Sequence, residues 1–429
     1  MLKRSILAAF ALLTTQAAFA QAPDPATAPK PGERGAPGLA IRTAKALTCK
    51  WEGESFVDHA LVLVKDGKIQ AVGPVGEVAV PQGYELLDVG DMWLMPGMID
   101  LHAHIGGSFD INDMVYVTQP ELKVHASVVP HNSMFKRALA SGVTSVLYIP
   151  GSGVNSGGQG ILVKTGIDEY DEAVIRDPGS LKVAQWGNPE RWGPGVGKTW
   201  ENYHLRDMFR RGKAYADAWD QYEKGEGPQP EKRIEMELFR ELYGKRTQVS
   251  THTQVYQVVL ETLTMIRQEF GIDVYIDHGE VKGYLTAPLA EKLGVSGILG
   301  PRNVDMPRLF GMDTDGQWQG IAAEYQKRGL KKIGFNTDSP VIPEEELQLQ
   351  VGIAGRFGFE MSNMEGVKGL TIVPAMTAGI ADRVGSLEPK KDADIVVISG
   401  DPGDPRAHVS LVIINGKRVY DVKVDDRRW

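Results

Sequence analysis

The chain has 429 residues, of which 42% are hydrophobic and 24% charged, a composition typical of a globular protein with a large core. The formal net charge is −8 and no long basic run occurs, so nucleic acid is excluded as the main partner. A single cysteine, Cys49, excludes an intramolecular disulfide and is expected to be a small buried side chain.

The first residues have the pattern of a secretory signal peptide. Lys3 and Arg4 precede an apolar run, Ile6 to Leu13, and Ala18-Phe19-Ala20 is a small-x-small cleavage signal. We therefore expect residues 1–20 to be removed and the protein to be periplasmic or secreted, with no membrane span after signal removal because the run is too short for one. Residues 21–37 are rich in proline and alanine and are expected to form a flexible lead-in.

Both ends of the remaining chain have a β pattern. Near the start, Ala60–Val64 and Ile69–Val72 flank Asp66-Gly67, a pair typical of a two-residue hairpin turn. Near the end, strands around Asn415-Gly416 repeat the pattern. We expect residues 38–95 and 386–423 to assemble into one small β-sandwich.

Strands and helices alternate between these β segments, which predicts an α/β fold. Eight candidate strands, the number in a (β/α)8 TIM-type barrel, make up the region 96–385. They are Met98–Ile105, Val143–Ile149, Ile161–Lys164, Leu181–Gln185, Gln248–Thr253, Val274–His278, Val295–Leu299 and Lys332–Asp338. Two helical stretches after the fourth strand, 201–224 and 231–244, either cover the barrel mouth or form a solvated insertion.

Candidate metal ligands stand at the ends of these strands. His102 and His104 close the first strand, and their i, i+2 spacing places both imidazoles on one face, about 7 Å apart along the backbone. Downstream, His252, His278 and Asp338 stand at the ends of the fifth, sixth and eighth strands. Barrels of this type gather their chemistry at the carboxyl ends of the strands, so these five side chains predict a metal site.

The same residues carry a resemblance to a known family. Pro96-Gly97-Met98-Ile99-Asp100-Leu101-His102-Ala103-His104, then Ile276-Asp277-His278-Gly279, Thr337-Asp338-Ser339-Pro340 and the tail 383–396 resemble the amidohydrolase superfamily. The pattern is most similar to the imidazolonepropionase-related branch, which includes metal-dependent prolidase-like dipeptidases. One departure is Lys390, where the family pattern has glycine.

The resemblance implies one or two divalent metals per chain, in many members bridged by a carbamylated lysine on strand four. Lys182 stands in a similar position and is our preferred bridge, while Lys164, at the end of strand three, is expected to contact substrate or to serve as the bridge instead. Burial favours a neutral lysine amine, the form that reacts with CO₂. Zinc suits a histidine-rich site best, although manganese, iron and cobalt stay open.

The predicted activity is hydrolysis of an amide or cyclic C–N bond by an exported enzyme, for example a dipeptidase. Metal-activated hydroxide attacks a carbonyl and Asp338 shuttles the proton. Arg191 is a candidate for binding a substrate carboxylate. A mononuclear deaminase or cyclic amidase, in which His278 and Glu280 serve catalysis, and an inactive barrel used as a binding module are the alternatives. The expected partner is a small molecule or dipeptide, and a homo-oligomer is compatible with the sequence.

Overall fold

The computed structural model describes residues 37–108, 111–187, 197–301, 303–305 and 317–425. The predicted signal peptide, all but the last residue of the predicted lead-in, and Arg191 lie outside these residues. Within them, no helix combines the length and the apolar character that crossing a membrane requires. Cys49 is buried, as expected.

Nineteen strands occur in the described residues. They are β1 (Leu39–Leu47), β2 (Phe56–Lys65), β3 (Lys68–Pro74), β4 (Glu85–Asp88), β5 (Trp93–Pro96), β6 (Met98–Ala103), β7 (Val143–Tyr148), β8 (Ser156–Lys164), β9 (Val174–Val183), β10 (Val249–Ser250), β11 (Thr253–Val255), β12 (Ile276–Val281), β13 (Gly297–Leu299), β14 (Val304–Asp305), β15 (Gln319–Gly320), β16 (Ile333–Phe335), β17 (Ile395–Ile398), β18 (Val409–Ile414) and β19 (Lys417–Asp421).

The α-helices of the same residues are α1 (Ser133–Ala140), α2 (Tyr170–Ala173), α3 (Lys198–Glu223), α4 (Glu237–Tyr243), α5 (Tyr256–Glu261), α6 (Ala287–Leu293), α7 (Ile321–Lys327), α8 (Leu347–Arg356), α9 (Glu365–Leu370) and α10 (Ile372–Thr377). A π-helical segment, Thr262–Glu269, continues α5. Short 3₁₀ turns are Val124–Ser127, Ile234–Met236, Gly283–Thr286 and Glu344–Glu346.

One sheet joins both ends of the chain. Its strand order is β19-β18-β17-β5-β1-β2-β3, with β4 beside β1. The junction is the antiparallel pair of β17 and β5, in which Ile395 lies opposite Pro96. The expectation that both ends build one β unit is therefore confirmed, whereas its description as a two-layer sandwich stays a prediction.

The two hairpin turns of this sheet are those expected from the sequence. Asp66 and Gly67 have φ values of 51° and 74°, and Asn415 and Gly416 have values of 49° and 73°. Positive φ at both central residues is the conformation of the hairpin turn that favours Asn-Gly and Asp-Gly. Lys390 also has a positive φ, 77°, which explains why glycine is the expected residue there.

The remaining strands, apart from the separate antiparallel pair of β14 and β15, form a nearly closed barrel. One sheet has the order β10-β9-β8-β7-β6 and the other β11-β12-β13-β16. Single parallel bridges, Val249 with Val274 and Ala103 with Ser339, connect them on the two sides. All eight predicted strands overlap these elements, and the α/β barrel architecture is confirmed.

The third barrel strand differs from the prediction of an all-parallel barrel. β8 is antiparallel to both β7 and β9, and Lys164 lies opposite Ser145 near the start of β7. The carboxyl end of β8 therefore lies at the amino-terminal end of its neighbours. This reversal decides where Lys164 lies.

The long helix α3 packs on the outside of the barrel. Its buried Leu205, Met208 and Phe209 belong to one apolar cluster with Leu181 of β9 and Phe239 of α4. Only the first turn of α3 approaches the carboxyl end of the strands, where Gln185 Nε2 donates to Asn202 Oδ1 at 2.8 Å. The body of this helix therefore does not cover the barrel mouth.

Candidate metal centre

The first barrel strand, β6, presents alternate side chains to the barrel interior. His102 Nε2 and His104 Nε2 lie 3.3 and 3.2 Å from the same atom, Asp338 Oδ1. Ile99 and Leu101 belong to an apolar cluster that also includes Ile372 of α10. The period of two along the strand thus brings both histidines to one point.

Two more histidines reach this point from the opposite side of the barrel. His278 Nε2 lies 3.0 Å from His252 Nδ1 and 3.9 Å from Asp338 Oδ2. His278 and Asp338 have φ values of 67° and 49°, conformations that L-residues rarely adopt and that concentrate at functional sites. His102, His252, His278 and Asp338 are all buried, and one potential ligand atom from each lies within 4.8 Å of the others.

Lys182 completes the group from β9. Its side chain is fully buried, and its Nζ lies 3.0 Å from His102 Nε2. Burial lowers the pKa of the Lys182 ammonium to about 8, although Asp277 and Asp338 oppose this effect. The structure thus brings together all six residues that the sequence named as ligands: His102, His104, Lys182, His252, His278 and Asp338.

The donor set fits a divalent cation. His104 Nδ1 donates to the carbonyl of Ile149 at 2.9 Å, and His278 Nδ1 donates to that of Gly300 at 2.8 Å. Each ring therefore offers the lone pair of Nε2 to the centre, where the Asp338 carboxylate is a further acceptor. Acceptors that converge without a proton between them repel one another, and a metal held by imidazole and carboxylate satisfies them all.

The carboxylate of Asp338 is ionised in these surroundings. Burial alone would raise its pKa, but His102, His104 and His278 outweigh this effect, so the pKa of Asp338 lies below its usual range. An ionised carboxylate is both a metal ligand and an acceptor for a proton. The geometry therefore allows the two roles predicted for Asp338.

Supporting residues that the sequence reasoning did not assign surround this centre. Asp277 Oδ2 lies 2.8 Å from His102 Nδ1, the position of a carboxylate that orients a metal-binding ring. Asp100 accepts from the backbone N–H of His102 and Thr337. Asp100 precedes His102 by two residues and so shares its strand face, a signal that the sequence did contain.

A second buried carboxyl group lies behind Asp100. Thr337 Oγ1 lies 2.7 Å from Asp100 Oδ2 and 3.2 Å from Glu344 Oε2. Burial raises the pKa of Asp100 to about 7 and that of Glu344 well above its usual range. These groups hold the strand segments that carry His102 and Asp338 in place.

The structure contradicts the role predicted for Lys164. Its Nζ lies 2.8 Å from Asp392 Oδ2, 2.9 Å from Asp394 Oδ2 and 2.6 Å from Asn415 Oδ1. These partners belong to the C-terminal β segment, and the reversed strand β8 carries Lys164 away from the histidines. Lys164 is therefore neither a substrate contact nor the bridging lysine, and Arg191 lies outside the described residues.

Comparisons with known proteins agree with this site. The amidohydrolase family model matches residues 230–419, which include His252, His278 and Asp338. The amidohydrolase tasK of Hapsidospora irregularis is 25% identical over 411 residues, 86% of this chain but only 40% of tasK. The chain thus spans less than half the length of that curated relative.

Two further matches concern the branch and the fold. An imidazolonepropionase of Brucella anthropi is 42% identical over 57 residues, 13% of this chain and 14% of that protein. The solved structure of an amidohydrolase from Thermotoga maritima MSB8 has a TM-score of 0.77 and 29% identity, and the match covers 89% of this chain and 100% of that one. Prolidases and deaminases share the fold at under 20% identity.

The family match over residues 230–419 includes three of the strand-end candidates, and the structural match covers nearly the whole chain. The chain therefore carries an amidohydrolase family match over residues 230–419 and is similar to amidohydrolases over most of its length.

Proposed function

We propose that this protein is a metal-dependent hydrolase of amide or cyclic C–N bonds, of which a dipeptidase is one form. The observation that carries the proposal is the convergence of His102, His252, His278 and Asp338 at the carboxyl end of the barrel strands, with ligand atoms within 4.8 Å of one another. Chemistry in barrels of this type takes place at that end. The similarity to amidohydrolases supports the reaction class.

The ligand residues bind the metal and Asp338 moves the proton. A divalent cation, when bound, polarises a carbonyl and lowers the pKa of water to near 7. Asp338, ionised and 3.2 Å from His104 Nε2, accepts a proton from the attacking water and returns it to the leaving nitrogen as the C–N bond breaks. Asp277 holds the His102 ring in the orientation that this geometry needs.

Zinc is the metal we propose, because three of the four clustered ligands are imidazoles. Lys182 is the candidate for a carbamylated bridge between two metals. Its Nζ lies among the ligand atoms, and its lowered pKa increases the fraction of neutral amine that can react with CO₂. The number of metal ions per chain therefore depends on whether Lys182 is carbamylated.

A mononuclear deaminase or cyclic amidase is the second candidate. Glu280 is buried on β12 two residues after His278. In that reading His278 and Glu280 act on the substrate, and the other ligands hold one metal. An inactive barrel used as a binding module is less consistent with a complete ligand set.

The decisive experiment is a substrate panel with counted metals. Protein stripped of metal and reconstituted with Zn²⁺ is incubated with dipeptides, cyclic amides and aminopurines, and zinc per chain is measured in the same samples. We expect amide hydrolysis with two zinc ions per chain. Deamination with one zinc ion would favour the second candidate, and full zinc content without turnover on any compound would favour the binding module.

Export is a separate proposal, based on the sequence of residues 1–20. Expression of the full chain in a Gram-negative host, followed by fractionation and N-terminal sequencing, tests it. We expect protein in the periplasm beginning at Gln21. Protein that stays in the cytoplasm with its first twenty residues intact would contradict this proposal and leave the catalytic one untouched.

A further inference from the structure

Large apolar side chains are exposed at the carboxyl end of the barrel, the end that holds the candidate metal centre. In the described segments that follow the strands at the carboxyl end, several large apolar side chains are exposed, among them Tyr116, Trp200, Tyr203 and Trp318. At the far end of α3 and after it, Tyr222 and Ile234 are also exposed, as is Tyr170 between β8 and β9. Exposed apolar surface collected in one region marks a place where something apolar binds.

Trp200 and Tyr203 form the part of this surface with the best-defined position. Both lie in the first two turns of α3, with ring centroids 3.9 and 5.7 Å from the His204 ring. Their relative exposures are 40% and 63%. Spacings of three and four residues place side chains on one helix face, so the rings form a continuous surface.

This aromatic surface is close to the metal centre. A Cβ added at Gly187 would lie 3.5 Å from His252 Nε2, so the segment after β9 runs directly beside a predicted ligand. The same segment is tied to the start of α3 twice. Gln185 donates to Asn202, and Lys198 Nζ lies 4.3 Å from the centre of the Trp186 ring.

Ligand sites combine a few polar groups with aromatic walls, and aromatic rings contribute affinity by stacking on a partner ring. Here the polar groups are those of the metal centre and the wall is the first two turns of α3. Among the described residues of this segment, glycine at position 187 places no side chain against His252.

We propose that the substrate carries a large apolar or aromatic group next to the scissile C–N bond, and that Trp200 and Tyr203 bind this group. The proposal rests on the proposed hydrolase function, since it assumes that a substrate occupies the metal centre. It narrows the substrate class from amides in general to amides with an aromatic or bulky aliphatic substituent. Trp200 and Tyr203 are then specificity-determining residues.

The test compares two carboxylates that have no bond to hydrolyse. Binding of 3-phenylpropionate and of propionate to the zinc-loaded full chain is measured by calorimetry. We expect 3-phenylpropionate to bind roughly tenfold more tightly than propionate, because stacking of one aromatic ring contributes an affinity of about that size. Trp200→Ala and Tyr203→Ala should each reduce this ratio, and the double variant should bring it close to one.

Tyr222→Ala is the matched control. Tyr222 is also an exposed aromatic of α3, with its ring 5.8 Å from that of Trp219, but it lies at the far end of the helix. This variant should keep the wild-type ratio. Equal affinities for the two probes in the wild type, or a ratio that survives the double substitution, would overturn the proposal.

The same preparations separate this inference from the proposed function. Hydrolysis of N-acetylglycine and N-benzoylglycine is followed in parallel, and turnover of neither alongside a high binding ratio would contradict the hydrolase while supporting the aromatic surface. A binding ratio near one would overturn the inference. Two further measurements on Trp200→Ala would then show what the surface binds instead: binding to phosphatidylcholine vesicles, and dimer dissociation followed by sedimentation. Either result would assign the surface to a lipid or to a second copy of the chain.

Discussion

Lys182 and Lys164 are both buried and lie on adjacent strands, yet they face opposite ends of one barrel. At the carboxyl end, Lys182 lies beside His102 among imidazoles, and burial lowers its pKa to about 8. At the amino-terminal end, Lys164 lies within 2.9 Å of one carboxylate oxygen from each of two aspartates, Asp392 and Asp394. Lys182 thus faces the candidate metal centre, whereas the positive charge of Lys164 is balanced by two aspartates.

The surroundings of the two lysines explain the difference. Asp392 also contacts Lys68 and Arg383, so the amino-terminal cluster balances its charges and joins the barrel to the C-terminal β strands. The carboxyl-terminal cluster instead gathers imidazole and carboxylate acceptors, and we propose that a cation balances them. Buried groups whose charges are satisfied hold a fold together, whereas buried groups that require a ligand indicate a site.

The largest effect is expected at the carboxyl end. His102→Ala should abolish tight zinc binding and reduce activity to background, because it removes a ligand that contacts both Asp338 and Lys182. Zinc per chain and turnover on the best substrate are the measurements. His408→Ala, in the β segment, is the control and should keep both. Wild-type zinc content in His102→Ala would show that His102 is not a metal ligand.

A smaller loss is expected when the charge at Asp338 is removed and its shape kept. Asp338→Asn retains an oxygen ligand but cannot accept a proton, so turnover should fall by about 10²–10⁴-fold while most of the zinc stays bound. Zinc content and turnover are measured together between about pH 5 and 9, where such a proton transfer is seen. Near-normal turnover would exclude the proton shuttle, and loss of all zinc would make Asp338 chiefly a ligand.

Replacing each of the two lysines by alanine, in separate variants, directly tests the comparison between the two ends of the barrel. Lys182→Ala should lower zinc content from two toward one, with activity partly restored by added formate or acetate. Lys164→Ala should leave zinc per folded chain unchanged but cost about 3–5 kcal/mol of stability, because Asp392 and Asp394 lose their buried partner.

Lys164→Arg keeps the positive charge and serves as the control for Lys164→Ala. Urea unfolding gives the stability of each variant, and metal analysis gives the zinc content. A loss of zinc in Lys164→Ala without a loss of stability would reverse the roles of the two ends.

The amino-terminal cluster should also give a defined pH dependence. Burial alone would raise the pKa of Asp392, but Lys164, Lys68 and Arg383 outweigh it and lower the pKa to about 2. An unfolded aspartate titrates near pH 3.9, so this carboxylate stabilises the fold fully above about pH 4 and progressively less as the pH falls through 2.

Comparison of the wild type with Asp392→Asn measures this contribution. The difference in free energy of unfolding should be constant from about pH 5 to 7 and should shrink from about pH 4 downward. Urea titrations at several pH values provide the numbers. A difference that is unchanged at the lowest pH would mean that the carboxylate charge does not matter.

The smallest effect is expected at Lys390, in the loop before β17. This exposed residue has a φ of 77°, a conformation that costs an L-residue about 1 kcal/mol and glycine almost nothing. Lys390→Gly should therefore stabilise the protein by up to about 1 kcal/mol, which thermal or urea unfolding can resolve. Its backbone N–H donates to the carbonyl of Ile69 in both forms, so a loss of stability would contradict the argument.

Local patterns in the sequence were sufficient for a large part of the structure. Apolar runs located all eight barrel strands, and the Asp-Gly and Asn-Gly pairs located the two hairpin turns, because both signals depend only on neighbouring residues. Five candidate ligands, His102, His104, His252, His278 and Asp338, were predicted to lie together because strand ends of a barrel meet at one edge, and Lys182 was added from the family resemblance. Asp100 could have been added from its spacing to His102.

Contacts between distant segments decided the rest. The apolar pattern of β8 is the same whether the strand runs up or down, so only its pairing with β7 and β9 shows that Lys164 faces Asp392 rather than the histidines. The same holds for Asp277 beside His102 and for the packing of α3 against the outer barrel wall. Periodicity fixes which face of a strand a residue occupies, whereas strand direction and long-range partners depend on how the whole chain buries its apolar surface.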